Sequence, residues 1–259
     1  MIWAWIGALT VGLSLGLLGS GGSILTVPIL TYLLDQPDKV AIASSLAIVG
    51  TISLVGLIPY ALRRQTDWRS VLLFGIPGMI GTYGGAWLAV WVPGVGQMLL
   101  FAVVVLWSSV LMLRPSRTVA TETNRPPRAV WKVSADGLAV GVLTGLVGVG
   151  GGFLIVPALV LLGGLDMKRA VATSLPIIAM KSFSGFYKYL DVLADLQLSV
   201  DWQLIGLFCG VGAVGSLVGV QVSSRLPREQ LQRVFGVFLV GVGLFVLWKN
   251  IPILVTGVA

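Results

Sequence analysis

The sequence contains no histidine and a single cysteine, Cys209. The absence of histidine excludes histidine acid–base catalysis and Cys/His zinc sites, and one cysteine cannot form an internal disulfide. Charged residues are also scarce, at 10% of 259 residues, whereas 56% of the residues are hydrophobic. This composition is too apolar for a soluble globular domain, and it predicts an all-α polytopic membrane protein without a cofactor.

The few charged residues are mostly basic, and they lie in short loops between apolar segments. The formal net charge of +7 would suggest nucleic-acid binding in a soluble protein. In a membrane protein, loop Lys and Arg residues fix the orientation instead, so we expect a lipid bilayer and no nucleic acid as partner. A homo-oligomer is compatible with the sequence. Residues 1–18 are apolar without a basic leader, so they are expected to remain as a membrane helix.

A glycine-rich segment occurs twice, 129 positions apart. Residues 16–28 are GLLGSGGSILTVP, and residues 145–157 are GLVGVGGGFLIVP. The duplication predicts two membrane repeats, 1–113 and 133–259, joined by a polar cytoplasmic linker at 114–132. Each repeat is predicted to contain a glycine-broken helical hairpin and three transmembrane helices. The predicted helices are 40–62, 69–92 and 95–113 in the first repeat, and 169–190, 200–224 and 229–250 in the second.

Equivalent loops of the two repeats have opposite charge. Loop 63–69 contains three arginines, but its counterpart at 191–201 contains three aspartates and no basic residue. Loop 35–39 has two aspartates and one lysine, whereas its counterpart has Lys168 and Arg169. Because basic loops stay on the cytoplasmic side, the repeats are predicted to be inverted relative to each other, with both termini outside.

The consecutive glycines of each hairpin are candidate anion-binding groups. A helix that restarts after a break presents free N–H groups and a positive dipole end, which suits an anion. Close helix packing is the alternative explanation of the glycines. The second hairpin arms are short, so they are either half-helices or strongly mismatched spans. The predicted backbone donors are Gly21, Gly22, Gly150, Gly151 and Gly152.

A pair of small hydroxyl residues follows each hairpin. The segments are AIASSL at 41–46 and AVATSL at 170–175, again 129 positions apart. Their hydroxyls could donate to a ligand oxygen, although Ser and Thr in membrane helices often bond to carbonyls of their own helix. The candidate residues are Ser44, Ser45, Thr173 and Ser174.

Lys181 is a basic residue in the middle of a predicted span. It lies twelve positions after Arg169 and nine before Leu190, about 14 Å from the nearer end and too deep for its side chain to reach water easily. The equivalent residue of the first repeat is Ile52. A charge at this depth predicts a bound anion as its partner, with backbone carbonyls or a water-filled crevice as the alternatives. The tyrosines Tyr60, Tyr187 and Tyr189 are expected at the membrane interface rather than in a site.

The doubled pattern G-x-G-G-[GS]-[FI]-L-x-V-P resembles the TauE/SafE sulfite exporter family, also called the toluene-sulfonate uptake permease superfamily. The resemblance covers nearly the whole chain, including the A-x-A-[ST]-S-L element and the pairs Asp67-Trp68 and Asp201-Trp202. It implies a carrier in the bacterial or archaeal cytoplasmic membrane that moves sulfite, sulfonates or related organosulfur anions. In the first copy, Ser20 and Ser23 interrupt the glycines.

The residues and the resemblance together predict a secondary transporter of a small sulfur-containing oxyanion, with export favoured, and not an enzyme. Transport of another small organic or inorganic anion is the first alternative. An intramembrane Ser–Lys hydrolase would have to use Lys181, because no histidine exists. A non-transporting assembly partner is the third alternative.

Overall fold

A computed structural model describes residues 2–19, 21–113, 130–147 and 152–256, which are helical with short turns and contain no β-strand. This confirms the predicted all-α polytopic membrane protein. The first repeat contains α1 (Ile2–Leu18), α2 (Gly21–Pro28), α3 (Asp38–Leu62), α4 (Trp68–Leu88) and α5 (Gly94–Leu113). The second contains α6 (Val130–Val147), α7 (Gly152–Pro157), α8 (Met167–Asp195), α9 (Trp202–Arg225) and α10 (Arg228–Thr256). Most of the predicted linker lies outside the described residues, and α6 begins at Val130, before the predicted repeat boundary at 133.

Five helices of the described chain are long and apolar enough to cross a membrane. They are α3, α4 with its 3₁₀ extension to Trp91, α6, α9 and the part of α10 from Glu229 to Asn250. α8 has 29 residues but is less apolar, because it carries charged side chains along its length. Exposed tryptophans lie at or near helix ends, as expected for an interfacial belt: Trp68, Trp91, Trp131, Trp202 and Trp248.

The second arm of each hairpin changes from α-helix to π-helix directly after a proline. The π-helical segments are Ile29–Leu33 after Pro28 and Ala158–Leu162 after Pro157. Proline lacks an N–H and its ring crowds the preceding turn, so the regular α-helical pattern is interrupted there. The wider turn closes with bonds from Leu34 N to Ile29 O (3.2 Å) and, equivalently, from Gly163 N to Ala158 O (3.0 Å). The hairpins therefore have the same local structure in both repeats.

Aspartate side chains begin three of the long helices. Asp67 accepts from Arg69 N (3.2 Å) at the start of α4, and Asp201 accepts from Gln203 N (2.9 Å) at the start of α9. Asp166 plays the same role for α8. An N-terminal carboxylate satisfies N–H groups that the helix leaves free and interacts favourably with its dipole. The Asp-Trp pairs found in the sequence are thus helix starts.

Glycines bring α6 against α4 and α1 against α9. A Cβ atom added at Gly141 would lie 3.0 Å from the Cα atom of Gly78, and one at Gly145 would collide with the carbonyl of Thr82. In the equivalent pair, Gly12 lies against Gly212 in the same way. Residue numbers rise together along both contacts, so the helices of each pair are parallel. The packing interpretation of these glycines agrees with the structure.

The repeats meet where α3 crosses α8. A Cβ atom at Gly185 would lie 3.3 Å from Leu46, and one at the equivalent Gly56 would lie 3.8 Å from Leu175, the equivalent of Leu46. Numbers rise along one helix as they fall along the other, so these two equivalent helices are antiparallel. Most residues of both helices in this region are buried, and the crossing forms the centre of the hydrophobic core.

Two equivalent lysines donate hydrogen bonds to carbonyl groups at the C-terminal ends of α4 and α9. Lys39 Nζ donates to the carbonyls of Ala89 and Val92, and Lys168 Nζ donates to the carbonyl of Ser224 at 3.1 Å. A lysine near a helix C-terminus satisfies carbonyls that have no partner within the helix. Each lysine therefore ties the start of the central helix of its repeat to the end of a helix beside it.

Candidate functional site

Lys181 lies at the midpoint of α8, fourteen residues after Met167 and fourteen before Asp195. Its side chain is fully buried, at 0% exposure. By the helix rise, its Cα atom is about 21 Å from each end of α8, so the side chain cannot reach bulk water. Within the described residues, Nζ has no hydrogen-bond partner. The structure thus places an unpaired ammonium group in the middle of the fold.

Two residues of α4 lie close to the ammonium group. Nζ lies over the ring of Phe74, 5.1 Å from its centroid. One turn further along α4, a Cβ atom added at Gly78 would lie 3.2 Å from Nζ and would collide with Cε of Lys181. Gly78 therefore provides the space in which the lysine stem lies, and the aromatic face provides a weak electrostatic partner.

The first repeat has the same arrangement without the charge. Ile52 occupies the position of Lys181, and a Cβ atom added at Gly212 would collide with Cδ1 of Ile52. Gly212 follows the capping Asp201 by eleven residues, as Gly78 follows Asp67. Phe208 follows Asp201 by seven residues, as Phe74 follows Asp67, and it is also fully buried. The two halves thus share the contact between this glycine and the central helix, and in the described residues the cation is present only at position 181.

Thr173 and Ser174 lie toward the start of α8. Thr173 Oγ1 accepts from Asp67 N at 3.0 Å, and Ser174 Oγ donates to Val171 O at 2.8 Å. Ser174 Oγ also lies 3.3 Å from the carbonyl of Gly19, where the first hairpin turns with a positive φ of 71°. Both hydroxyls are therefore engaged with backbone groups, and Ser174 is seven residues, or about 10 Å, from Lys181.

Ser44 and Ser45 lie on the other side of Lys181. Leu46, the next residue, contacts Gly185, which is four residues beyond Lys181 on α8. The pair at 44 and 45 is therefore separated from Thr173 and Ser174 by about 15–20 Å along the central helices. Both serines are buried, and Ser44 Oγ has no hydrogen-bond partner in the described chain. The predicted hydroxyls form two separate pairs with Lys181 between them.

The predicted glycine donors fall at the starts of the second hairpin arms. α2 begins at Gly21, and α7 begins at Gly152. A Cβ atom at Gly22 would collide with the carbonyl of Val11 and lie 3.2 Å from the Cα atom of Leu15, so close packing on α1 explains this glycine without a ligand. The remaining two predicted donors, Gly150 and Gly151, lie outside the described residues.

Sequence reasoning did not identify a polar contact beside the second hairpin. Gln97 Nε2 donates to the carbonyl of Leu146 and to the hydroxyl of Tyr189 (3.1 Å), and both side chains are fully buried. This contact holds the Tyr189 side chain inside the protein, so it does not face the lipid. In the sequence, this contact is indicated by the presence of a glutamine within an apolar segment.

The structure does not bring together the groups that a Ser–Lys hydrolase needs. Such a dyad requires a hydrogen bond between the lysine and a serine hydroxyl, but in the described chain neither Lys181 Nζ nor Ser182 Oγ has a hydrogen-bond partner. Among the described residues there is likewise no group of three or more His, Cys, Asp or Glu side chains that could hold a metal ion. The arrangement is that of a buried cationic site.

Comparison with known proteins agrees with the resemblance found in the sequence. The sequence profile of the sulfite exporter TauE/SafE family matches residues 4–246. The chain belongs to this family. A protein of Xylella fastidiosa named "Probable membrane transporter protein" is 32% identical over 245 residues, covering 93% of this chain and 92% of the relative.

Two further relatives carry names of the same kind. A probable membrane transporter protein of Methanocaldococcus jannaschii is 27% identical over 251 residues, covering 92% of this chain and 93% of the relative. A probable membrane transporter protein of Bacillus subtilis is 28% identical over 266 residues, covering 93% and 94%. No solved structure matches the chain at a significant level. This TauE/SafE protein is a multi-pass membrane transporter.

Proposed function

We propose that this transporter moves a small sulfur-containing oxyanion, such as sulfite or a sulfonate, across the cytoplasmic membrane, and that Lys181 binds the anion. The observation that carries the proposal is the fully buried Nζ without a hydrogen-bond partner among the described residues. The sulfur chemistry rests on the family name.

An anion is the ligand that best suits this position. Transferring an ammonium group into the interior costs several kcal/mol unless an opposite charge accompanies it. An anion about 4 Å away contributes about 4 kcal/mol at an effective dielectric constant of about 20. A lysine ammonium is a compact charge with three donors, so it suits a tetrahedral or pyramidal oxyanion as well as a planar carboxylate.

The proposed carrier consists of two inverted repeats that meet at Lys181. The antiparallel contact of α3 with α8, and the reciprocal contacts Gly185–Leu46 and Gly56–Leu175, support this arrangement. The opposite charges of equivalent loops also support it. In this arrangement the site lies near the middle of the bilayer, where alternating access of an inverted-repeat carrier requires it to be.

Export is the favoured direction of transport. An inside-negative membrane potential drives an anion outward by about 2.3 kcal/mol per charge per 100 mV, so no coupled ion is required. The cytoplasmic membrane of a bacterium or archaeon is the proposed location, because it carries this potential.

The direct test is flux in liposomes. The purified protein would be reconstituted with internal sulfite, thiosulfate, a small sulfonate, sulfate, chloride or acetate, and efflux would be measured under an imposed potential. We expect saturable efflux of one or more of the reduced or organic sulfur anions, and its rate should rise with internal negativity. Efflux of acetate or chloride alone would identify a transporter of another anion, and the absence of all flux would contradict the proposal.

A further inference from the structure

A pocket of about 240 Å³ opens at the end of the fold where α4 and α6 begin. The first two turns of α4 form one wall, the first turns of α6 form another, and the π-helical segment after α7 forms the third. Its lining includes Arg69, Ser70, Phe74, Val133, Asp136 and Leu159. Arg63, Arg64 and Arg69 lie at this end, before or at the start of α4, and among the described residues most of the basic side chains are found here.

Phe74 belongs both to this pocket and to the surroundings of Lys181. Phe74 is one of the residues that line the pocket, and its ring lies 5.1 Å from Lys181 Nζ. Phe74 is only 2% exposed, although it borders the open space. Lys181 itself does not line the pocket. Phe74 is thus the residue that the open pocket and the surroundings of the buried ammonium group have in common.

The direction of the lysine side chain fits this arrangement. Side chains of an α-helix lean toward its N-terminus, and α8 begins at the same end of the fold as the pocket, since Thr173 contacts Asp67 at the start of α4. The stem of Lys181 therefore points from the middle of the fold toward Phe74. A ligand that advances from the pocket meets the ring first and the ammonium group next.

We propose that the pocket is the access route from the linker side to Lys181 and that Phe74 is the gate between them. This inference rests on the proposed role of Lys181 as the partner of the anion. Without an anion, the ring closes the pocket and its face stabilises the ammonium group. When an anion arrives, the ring swings aside and the anion replaces it as the partner of Lys181.

The packing around Phe74 favours movement of the ring rather than of the helix. A Cβ atom at Gly137 would lie 3.0 Å from the Cα atom of Phe74, so α6 holds the backbone of α4 firmly at this point. A change of side-chain rotamer needs no shift of this contact. The gate is therefore a positioning residue that controls access, and Lys181 remains the binding residue.

The test measures access to the buried position directly. In a Cys209→Ser background, Lys181→Cys places a thiol behind the ring, and its rate of reaction with a charged, membrane-impermeant methanethiosulfonate reagent is measured in oriented vesicles. Phe74→Ala should raise this rate at least tenfold when the reagent is on the linker side. The matched control is Phe208→Ala, which removes the same ring at the equivalent position of the other repeat, and it should change the rate by less than twofold.

Two further variants keep the test informative if Phe74→Ala does not fold. Phe74→Leu should increase the rate less than Phe74→Ala, and Phe74→Trp should decrease it. Equal rates in all Phe74 variants, or faster reaction from the side opposite the linker, would overturn the gate. Labelling requires no transported substrate, so a failure of sulfur-anion flux would contradict the proposed function and leave the gate intact.

Discussion

Lys181 places its ammonium group over the ring of Phe74, 5.1 Å from the centroid. A cation–π contact of this kind contributes about 2 kcal/mol when it is desolvated. The penalty for burying an ammonium group is several kcal/mol. The ring therefore offsets only part of the cost, and an anion beside Lys181 would stabilise the protein further.

Replacing Lys181 with a neutral residue tests whether an anion is the partner of its ammonium group. We expect Lys181→Met, which is similar in length but neutral, to fold and to have a melting temperature equal to or above that of the parent, because a desolvation penalty disappears. In the parent, a ligand at a hundredfold excess over its Kd should stabilise the protein by about 2.7 kcal/mol. The variant should show little shift with sulfite or a small sulfonate at the same concentration. The measurement is a melting series in detergent with and without the anion.

Lys181→Arg is the control for charge without lysine geometry. It keeps the cation but needs more room than Gly78 and Phe74 leave, so we expect weakened binding rather than complete loss. If Lys181→Met keeps the full ligand-induced shift and normal liposome flux, Lys181 is not the partner of the anion.

The glycine contact between α4 and α6 gives a prediction about stability. Gly145→Ala should destabilise the protein by about 1–3 kcal/mol, because its Cβ atom would collide with the carbonyl of Thr82 and the helices would have to separate. Gly84→Ala on α4 is the matched control, since an added Cβ atom there has no neighbour within 4 Å. It should be neutral or slightly stabilising because alanine favours the helix. Denaturation in mixed detergent measures both, and equal effects would contradict the packing interpretation.

Much of the fold could be predicted because the chain is duplicated. Long apolar segments predicted the long helices, and the Asp-Trp pairs lie where α4 and α9 begin. The depth of Lys181 followed from helix rise alone, and its burial at 0% agrees with it. These features depend on local sequence, which a single chain contains in full.

The spatial arrangement of the candidate site could not be predicted in the same way. The recurrence of the hydroxyl pairs did not show where they lie relative to Lys181, and the antiparallel crossing of α3 and α8 places Ser45 and Ser174 on opposite sides of it. Phe74 gave no recognisable pattern, and Gln97 stood out only as a glutamine in an apolar segment, because their roles come from residues distant in sequence, Lys181 and Tyr189. Helix crossing angles and depths decide such contacts, and a sequence pattern contains neither.

Removing the lysine that caps a helix is expected to reduce the stability of the protein by different amounts in the two repeats. Lys39→Met removes a donor to two carbonyls at the end of α4, those of Ala89 and Val92, and should destabilise the protein by about 1–2 kcal/mol. Lys168→Met removes one bond, to Ser224 in an exposed position, and should cost less than about 1 kcal/mol. Thermal unfolding in detergent compares the two variants. A larger loss for Lys168→Met would show that its cap contributes more than the bond count suggests.

Inverted orientation of the repeats predicts opposite labelling of the two loops that follow α3 and α8. Arg63 and Leu196 are the residues that follow the last turns of α3 and α8, and both side chains are exposed. Single cysteines at these positions, in a Cys209→Ser background, would be treated in intact cells with a membrane-impermeant maleimide. We expect Leu196→Cys to react from outside, and Arg63→Cys only after the membrane is opened, because arginine-rich loops stay in the cytoplasm.

Arg63→Cys removes a positive charge, and loop charges fix the orientation of the protein in the membrane. A control that keeps this charge is therefore needed. Gln65→Cys lies in the same loop and leaves all three arginines in place, so it should be protected from outside as well. The antiparallel contact of α3 with α8 places the ends of these helices at opposite ends of the fold. Reaction of Leu196→Cys and both loop variants from the same side would therefore contradict the inverted repeat, and with it the position of Lys181 between two equivalent halves.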